Sequence, residues 1–223
     1  MRMLLAAVAI FNAAMAAPPG DATSAIVPLG AQAASESRYK LLDVVVFGAF
    51  LRVDLSTYPA EVRTLLQQHL ERSDRYRPRS RTLNAKQSEM RMVYAARDNY
   101  ERQLFAVAVT PEADRLAQQY VDELRPCYEW EGFHDCPERE ATFAAGYLAK
   151  NPGSPFRDFL PLLIAHRWLC AAAGYEIEQK VQDAARARRA AAAPLATALK
   201  AQSLLIRTAA QELRDRGRCR GDR

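Results

Sequence analysis

A chain of 223 residues, 49% hydrophobic and 26% charged, is long enough to bury a substantial core as one domain or two small ones. Its net charge of +5 is spread over segments that carry both signs, with local arginine excesses at 72–81 and 214–223 that would favour nucleic acid in a cytosolic protein but not in an exported one. Beyond the N-terminus no stretch stays apolar for the about 20 residues that a bilayer crossing needs.

Residues 1–16 carry Arg2, an apolar run from Leu4, and small residues Ala14 and Ala16 on either side of Met15. That is the charged, apolar and A-x-A order of a secretory signal, with cleavage expected after Ala16. The run is short and broken by Asn12, so no permanent transmembrane anchor is expected after cleavage, and no cysteine stands at the cleavage point for acylation. A periplasmic or secreted location follows. It excludes nucleotide-driven and cytosolic redox chemistry and permits disulfides. Residues 17–37, rich in Ala, Pro, Ser and Gly, read as a flexible lead, residues 38–219 as a single helical domain, and residues 220–223 as a disordered tail.

Tyr39 to Leu55 contains the β-branched run Val44-Val45-Val46, but its length and the lack of a partner strand predict a buried helix. Tyr58-Pro59-Ala60-Glu61 opens a helix to about Tyr76, and a loop follows from Arg77 to Lys86. Thr110-Pro111-Glu112, Cys136-Pro137-Glu138 and Ser154-Pro155-Phe156 each set a proline near a helix start, where its missing N–H costs nothing, and Pro126 marks a bend. Phe156 to Ala173 is apolar around most of its circumference and predicts the central core helix. Pro194 is expected to divide an Ala- and Arg-rich helix from a last amphipathic one carrying Leu195, Leu199, Ile206, Ala209 and Leu213 on one side. With no strand alternation or Asn-Gly hairpin signal, the fold class is all-α, a compact antiparallel helical array.

Four cysteines, Cys127, Cys136, Cys170 and Cys219, allow three pairings in an oxidising compartment. Local closure costs least, which favours Cys127 with Cys136 and leaves Cys170 with Cys219 to staple the C-terminal segment to the body. Neither CxxC nor HxxxH pairs occur, so no metal and no cofactor is expected.

If Cys127 and Cys136 are bridged, the loop between them presents Tyr128, Glu129, Trp130, Glu131, Phe133, His134 and Asp135. Aromatics on a pinned loop lose little entropy on binding and recur as interface hot spots. The alternative is a stapled connector whose Trp130 and Phe133 turn back into the core. The acidic residues from Glu129 to Glu140 are explained by helix-start electrostatics, and no G-x-S-x-G, H-E-x-x-H or phosphate-cradling glycine loop occurs. No catalytic residue is assigned.

Of the three histidines, His166 lies on an apolar helix face and is expected inside, satisfied there by Asp158 or a carboxylate from another helix. His69 is expected to face solvent, and His134 to meet a partner. The arginines clustered at 72–81 and 214–223 read as solvated faces.

Between residues 140 and 179 the run Ala141, Tyr147-Leu148, Asn151-Pro152, Ser154-Pro155-Phe156, Leu162-Leu163-Ile164-Ala165, Trp168 and Gly174-Tyr175 resembles a single tetratricopeptide-type helical hairpin of bacterial envelope proteins. The resemblance implies a helical hairpin that binds peptides, with no catalytic residues. No second copy follows at a period of about 34 residues, so a compact domain is expected rather than a solenoid.

Together these features predict an exported protein-binding module of the cell envelope, not an enzyme, with an envelope or secreted protein as partner. Its sharper form is an inhibitor or immunity protein against a cell-wall-degrading enzyme. The rival class is a peptidoglycan-acting hydrolase, with Glu129 or Glu131 as general acid, or a wall-polymer-binding protein.

Overall fold

A computed structural model describes residues 40–47, 53–79, 88–110, 112–124, 127 and 132–219; the expected signal, lead and tail lie outside the described residues. Among the described residues there are eight α-helices and no strand: α1 Leu41–Phe47, α2 Ala60–Arg75, α3 Ser88–Val107, α4 Ala113–Glu123, α5 Asp135–Lys150, α6 Leu160–Ile177, α7 Val181–Ala198 and α8 Leu204–Arg216. Both disulfides are present with the expected partners, Cys127 with Cys136 and Cys170 with Cys219.

Helix α6 is the centre, apolar on every side and packed against α5, α7 and α8. Its start corrects the expectation of a helix from Phe156. A helix beginning there would need an N–H at residue 161 to bond the Arg157 carbonyl, and Pro161 has none. Residues 152–159 instead wind through turns that bury Phe156 and Phe159, and Pro161 takes a first-turn position where the loss is harmless. On its other side α6 meets α7 through Ala171, Ala172, Ala184 and Ala187, side chains small enough to bring the two backbones close.

Helix α1 confirms the helical reading of its segment but not its length: Val53 and Asp54 are non-helical, and a short 3₁₀ turn, Leu55–Thr57, follows. Seven residues are marginal as an isolated helix, so tertiary partners must hold it. Leu41 N–H donates to the Tyr58 hydroxyl at 2.9 Å and Leu42 N–H to the Glu212 carboxylate at 2.8 Å, satisfying first-turn donors that the helix itself leaves open. Asp43 receives both terminal nitrogens of Arg216, at 2.7 and 2.8 Å, which fastens α1 to α8.

Pro194 does not end a helix, contrary to the sequence expectation. It lies inside α7 near the C-terminal end, where it removes one backbone bond while packing holds the rest. The chain breaks at 199–203 because Asp158 accepts the N–H groups of Gln202 at 2.9 Å and Ser203 at 3.2 Å, and Ser203 Oγ caps α8 at Ile206 N. Leu195 and Leu199 therefore do not share a helix with Ile206, Ala209 and Leu213.

The arginine clusters are not simply solvated. Arg72 donates to the Ala106 carbonyl at 2.8 Å, Arg79 pairs with buried Glu101 and with Asp122, and Arg216 holds Asp43. His69 is also corrected: it is 1% exposed, on the face that α2 buries with Val62, Leu66 and Ser73. Spacings of three and four residues put those side chains on one stripe.

Two predictions follow from the core. Arg167 on α6 donates to Glu140 on α5 at 2.6 Å, and both are nearly fully buried. Glu140→Ala leaves that cation without its carboxylate and should cost about 3–5 kcal/mol in urea unfolding, whereas the double change Glu140→Leu, Arg167→Met should recover much of the loss. For His69, burial and the neighbouring Arg72 cation lower the pKa from 6.5 to about 4. The neutral ring favours the fold, so its contribution is complete above pH 6.5 and is lost as pH falls toward 4, roughly 3 kcal/mol for such a shift. Thermal midpoints of His69→Leu should fall less steeply than those of the unaltered protein across that window.

Candidate functional site: the Cys127 to Cys136 loop

The loop is held at its C-terminal end by a disulfide to α5 and by contacts of Gly132, His134 and the Phe133 backbone with α6. Asp135 opens α5 with Pro137 in its first turn, as expected, and Cys136 ties this turn back to Cys127. Gly132 has φ of +95°, a left-handed conformation that an L side chain adopts only with strain. A Cβ there would lie 3.9 Å from Ile177 Cδ1, so the turn rests beside the end of α6.

The closest approach is at Gly174. A Cβ built on this residue would lie 2.5 Å from His134 N, 2.6 Å from the Phe133 carbonyl carbon and 2.8 Å from His134 Cα. The loop backbone lies directly on α6 in the space a side chain would occupy.

His134 completes the attachment. Its ring stacks on Tyr175 with centroids 4.0 Å apart, and its Nδ1 meets the Glu178 carboxylate, which also accepts from His134 N at 3.3 Å and from Lys180 Nζ at 2.7 Å. These donors pull the Glu178 pKa down to about 2. Beneath His134, the Tyr175 hydroxyl donates to Glu138, and burial with that carboxylate pushes its pKa up to about 12. Arg186 on α7 pairs with Glu138 at 3.1 Å and lies over the rings of Trp168 and Tyr175 at 5.7 and 5.6 Å. Three helices thus support one short backbone segment.

Of the sequence candidates, Tyr128, Glu129, Trp130 and Glu131 lie outside the described residues. Phe133 is 48% exposed, His134 is half-buried against α6, and Asp135 is exposed at the start of α5. Ile177 and Val181, 68% and 75% exposed at the end of α6 and the start of α7, are large aliphatics that sequence reasoning did not select. Their signal was weak, because each falls at a helix terminus where periodicity has no say.

His166 is buried, as expected, but not bound to Asp158, which caps α8 instead. Arg167 approaches its Nδ1 at 2.9 Å and the Cys219 carbonyl its Nε2 at 3.0 Å. A guanidinium only donates, so Nδ1 accepts and Nε2 carries the proton given to the carbonyl. His166, Cys170 and Cys219 bring three potential metal ligands within 4.8 Å, but the two sulfurs are bonded to each other.

Comparison with protein families, with curated proteins and with solved structures finds no match to this chain.

The contact at Gly174 gives a direct test. Gly174→Ala should cost about 1–3 kcal/mol in thermal unfolding, since backbone rather than a flexible tip must move. Gly146→Ala, on α5 with nothing within 4 Å of the added methyl, should be neutral or stabilising.

Proposed function

We propose that this chain is an exported protein-binding module of the cell envelope, and that it binds through the Cys127 to Cys136 loop together with Ile177 and Val181. The observation that carries the reading is an aromatic ring, Phe133, left 48% exposed on a backbone that has no room to retreat. A single exposed apolar residue is ordinary, but one held on a segment whose neighbouring turn rests against exposed Ile177 is suited to burial against another protein. Because the loop is already ordered at this end, little entropy is lost when a partner covers it.

Export is supported by the pattern in residues 1–16 and by two disulfides, which persist in oxidising compartments. No described helix is long and apolar enough to cross a membrane. Within this class we favour an inhibitor or immunity protein for a cell-wall-degrading enzyme, since a short disulfide-closed segment ending in an exposed aromatic ring is suited to entering an active-site cleft.

The test is affinity capture from the native envelope with the mature protein beside a Trp130→Ala, Phe133→Ala variant, read by mass spectrometry. The same partner should be held by the first and lost from the second, and Phe133→Ala alone should leave the thermal midpoint nearly unchanged. Equal capture by both, or a loss of about 3 kcal/mol or more from Phe133→Ala, would show the ring to be a structural contact instead.

A further inference from the structure

On the side of the molecule formed by α2, the α3–α4 connection, the α5–α6 turn and the α7–α8 connection lies a cavity of about 630 Å³. That volume is within the range of small-molecule sites. We propose that this cavity binds an apolar chain ending in a carboxylate or a phosphate.

Its floor is apolar: Leu65 from α2, Phe159 from the α5–α6 turn, and Leu205 and Ile206 from α8. Val109, 70% exposed, extends this surface to the rim. The polar end is cationic. Arg72 and Arg157 line the cavity, and an adjoining one of about 360 Å³ shares Arg157, Asp158 and Gln202 and adds Lys200. Three cations and one carboxylate thus line the two adjoining cavities, and the carboxylate is engaged, because Asp158 accepts the N–H groups of Gln202 and Ser203.

None of the three cations forms a close ion pair with a carboxylate among the described residues, although Glu71 lies near enough to Arg72 to favour its charge. Arg72 gives its Nε–H to the Ala106 carbonyl at 2.8 Å, which orients the guanidinium without neutralising it. Burial and the Arg75 cation disfavour its charged form and outweigh the opposing pull of Glu71, so its pKa lies below the usual arginine value. A part-buried guanidinium beside other cations gains most from an added oxyanion, and its planar fork matches carboxylate and phosphate oxygens in pairs. The apolar floor then selects among anions for those that bring a hydrocarbon body with them. This site is separate from the loop, and the proposal does not rest on the protein-binding reading.

Titration calorimetry of the full mature protein with octanoate, octyl phosphate and octan-1-ol tests the inference. One or both anions should bind at least 10-fold more tightly than the alcohol, and comparison of the two identifies the preferred headgroup. Arg157→Glu, a reversal at an exposed side chain, should weaken the anion at least 10-fold while leaving octan-1-ol binding and the thermal midpoint unchanged. Phe133→Ala should leave all three titrations as they were. No anion binding at millimolar concentration, equal binding of anion and alcohol, or an affinity unaltered by Arg157→Glu would overturn it.

Discussion

The rest of the fold depends on one buried cation. Arg167 projects from the most apolar helix and meets Glu140 of α5, while Phe47 of α1 and Tyr100 of α3 lie 5.6 and 6.0 Å from its guanidinium carbon. Its terminal nitrogen also orders His166, whose other ring nitrogen bonds the Cys219 carbonyl beyond α8. An ion pair in a core is no large source of net stability, because desolvation offsets most of the attraction. Its effect is on orientation. Rotating α6 would leave a charge unpaired in a low-dielectric interior, so only one rotation is tolerated, and α1, α3 and α5 pack to it.

That rotation reaches the surface at the far end of α6. With Arg167 inward toward α5, the same helix turns Gly174 and Tyr175 toward the loop that precedes α5, where the one admits the loop backbone and the other supports the His134 ring. The apolar ring of Phe133 is consequently displayed by core geometry rather than by the loop's own preferences. The placement of residues 132–134 and the order of the core are one property, carried along about two turns of helix.

The C-terminal part is secured by different means. The Cys170 to Cys219 bond spans 49 residues, a closure that removes roughly 4 kcal/mol of chain entropy from the unfolded state. Arg216 and Glu212 on α8 then supply the ion pair and the acceptor that seven-residue α1 requires. Burial raises the Glu212 pKa even though Tyr58 and Leu42 donate to it. With α8 fixed against both α1 and α6, its N-terminal turn and Asp158 form one wall of the cavity near Arg72.

The helical class, the apolar α6 and the cysteine pairing were legible in the chain, because each rests on local pattern or on the entropy of closing short loops. The bridge that closes the Cys127 to Cys136 loop was legible, while two of the loop's three aromatics, Tyr128 and Trp130, fall outside the described residues. Other features were not. Packing overrides Pro194 inside α7, and Pro161 rather than Pro155 fixes the start of α6, so the ends of both helices were misplaced. His69 carried a readable signal in its spacing from Val62, Leu66 and Ser73, yet the polar residues around it concealed that stripe. Arg167 is the only Arg or Lys of α6, and no local rule names its partner 27 residues earlier. Composition and periodicity determine which residues are helical and which are apolar. Which carboxylate meets a buried cation, and which glycine receives a loop, are decided by the tertiary structure, because unpaired charge and overlapping atoms acquire their cost only when distant segments are brought together.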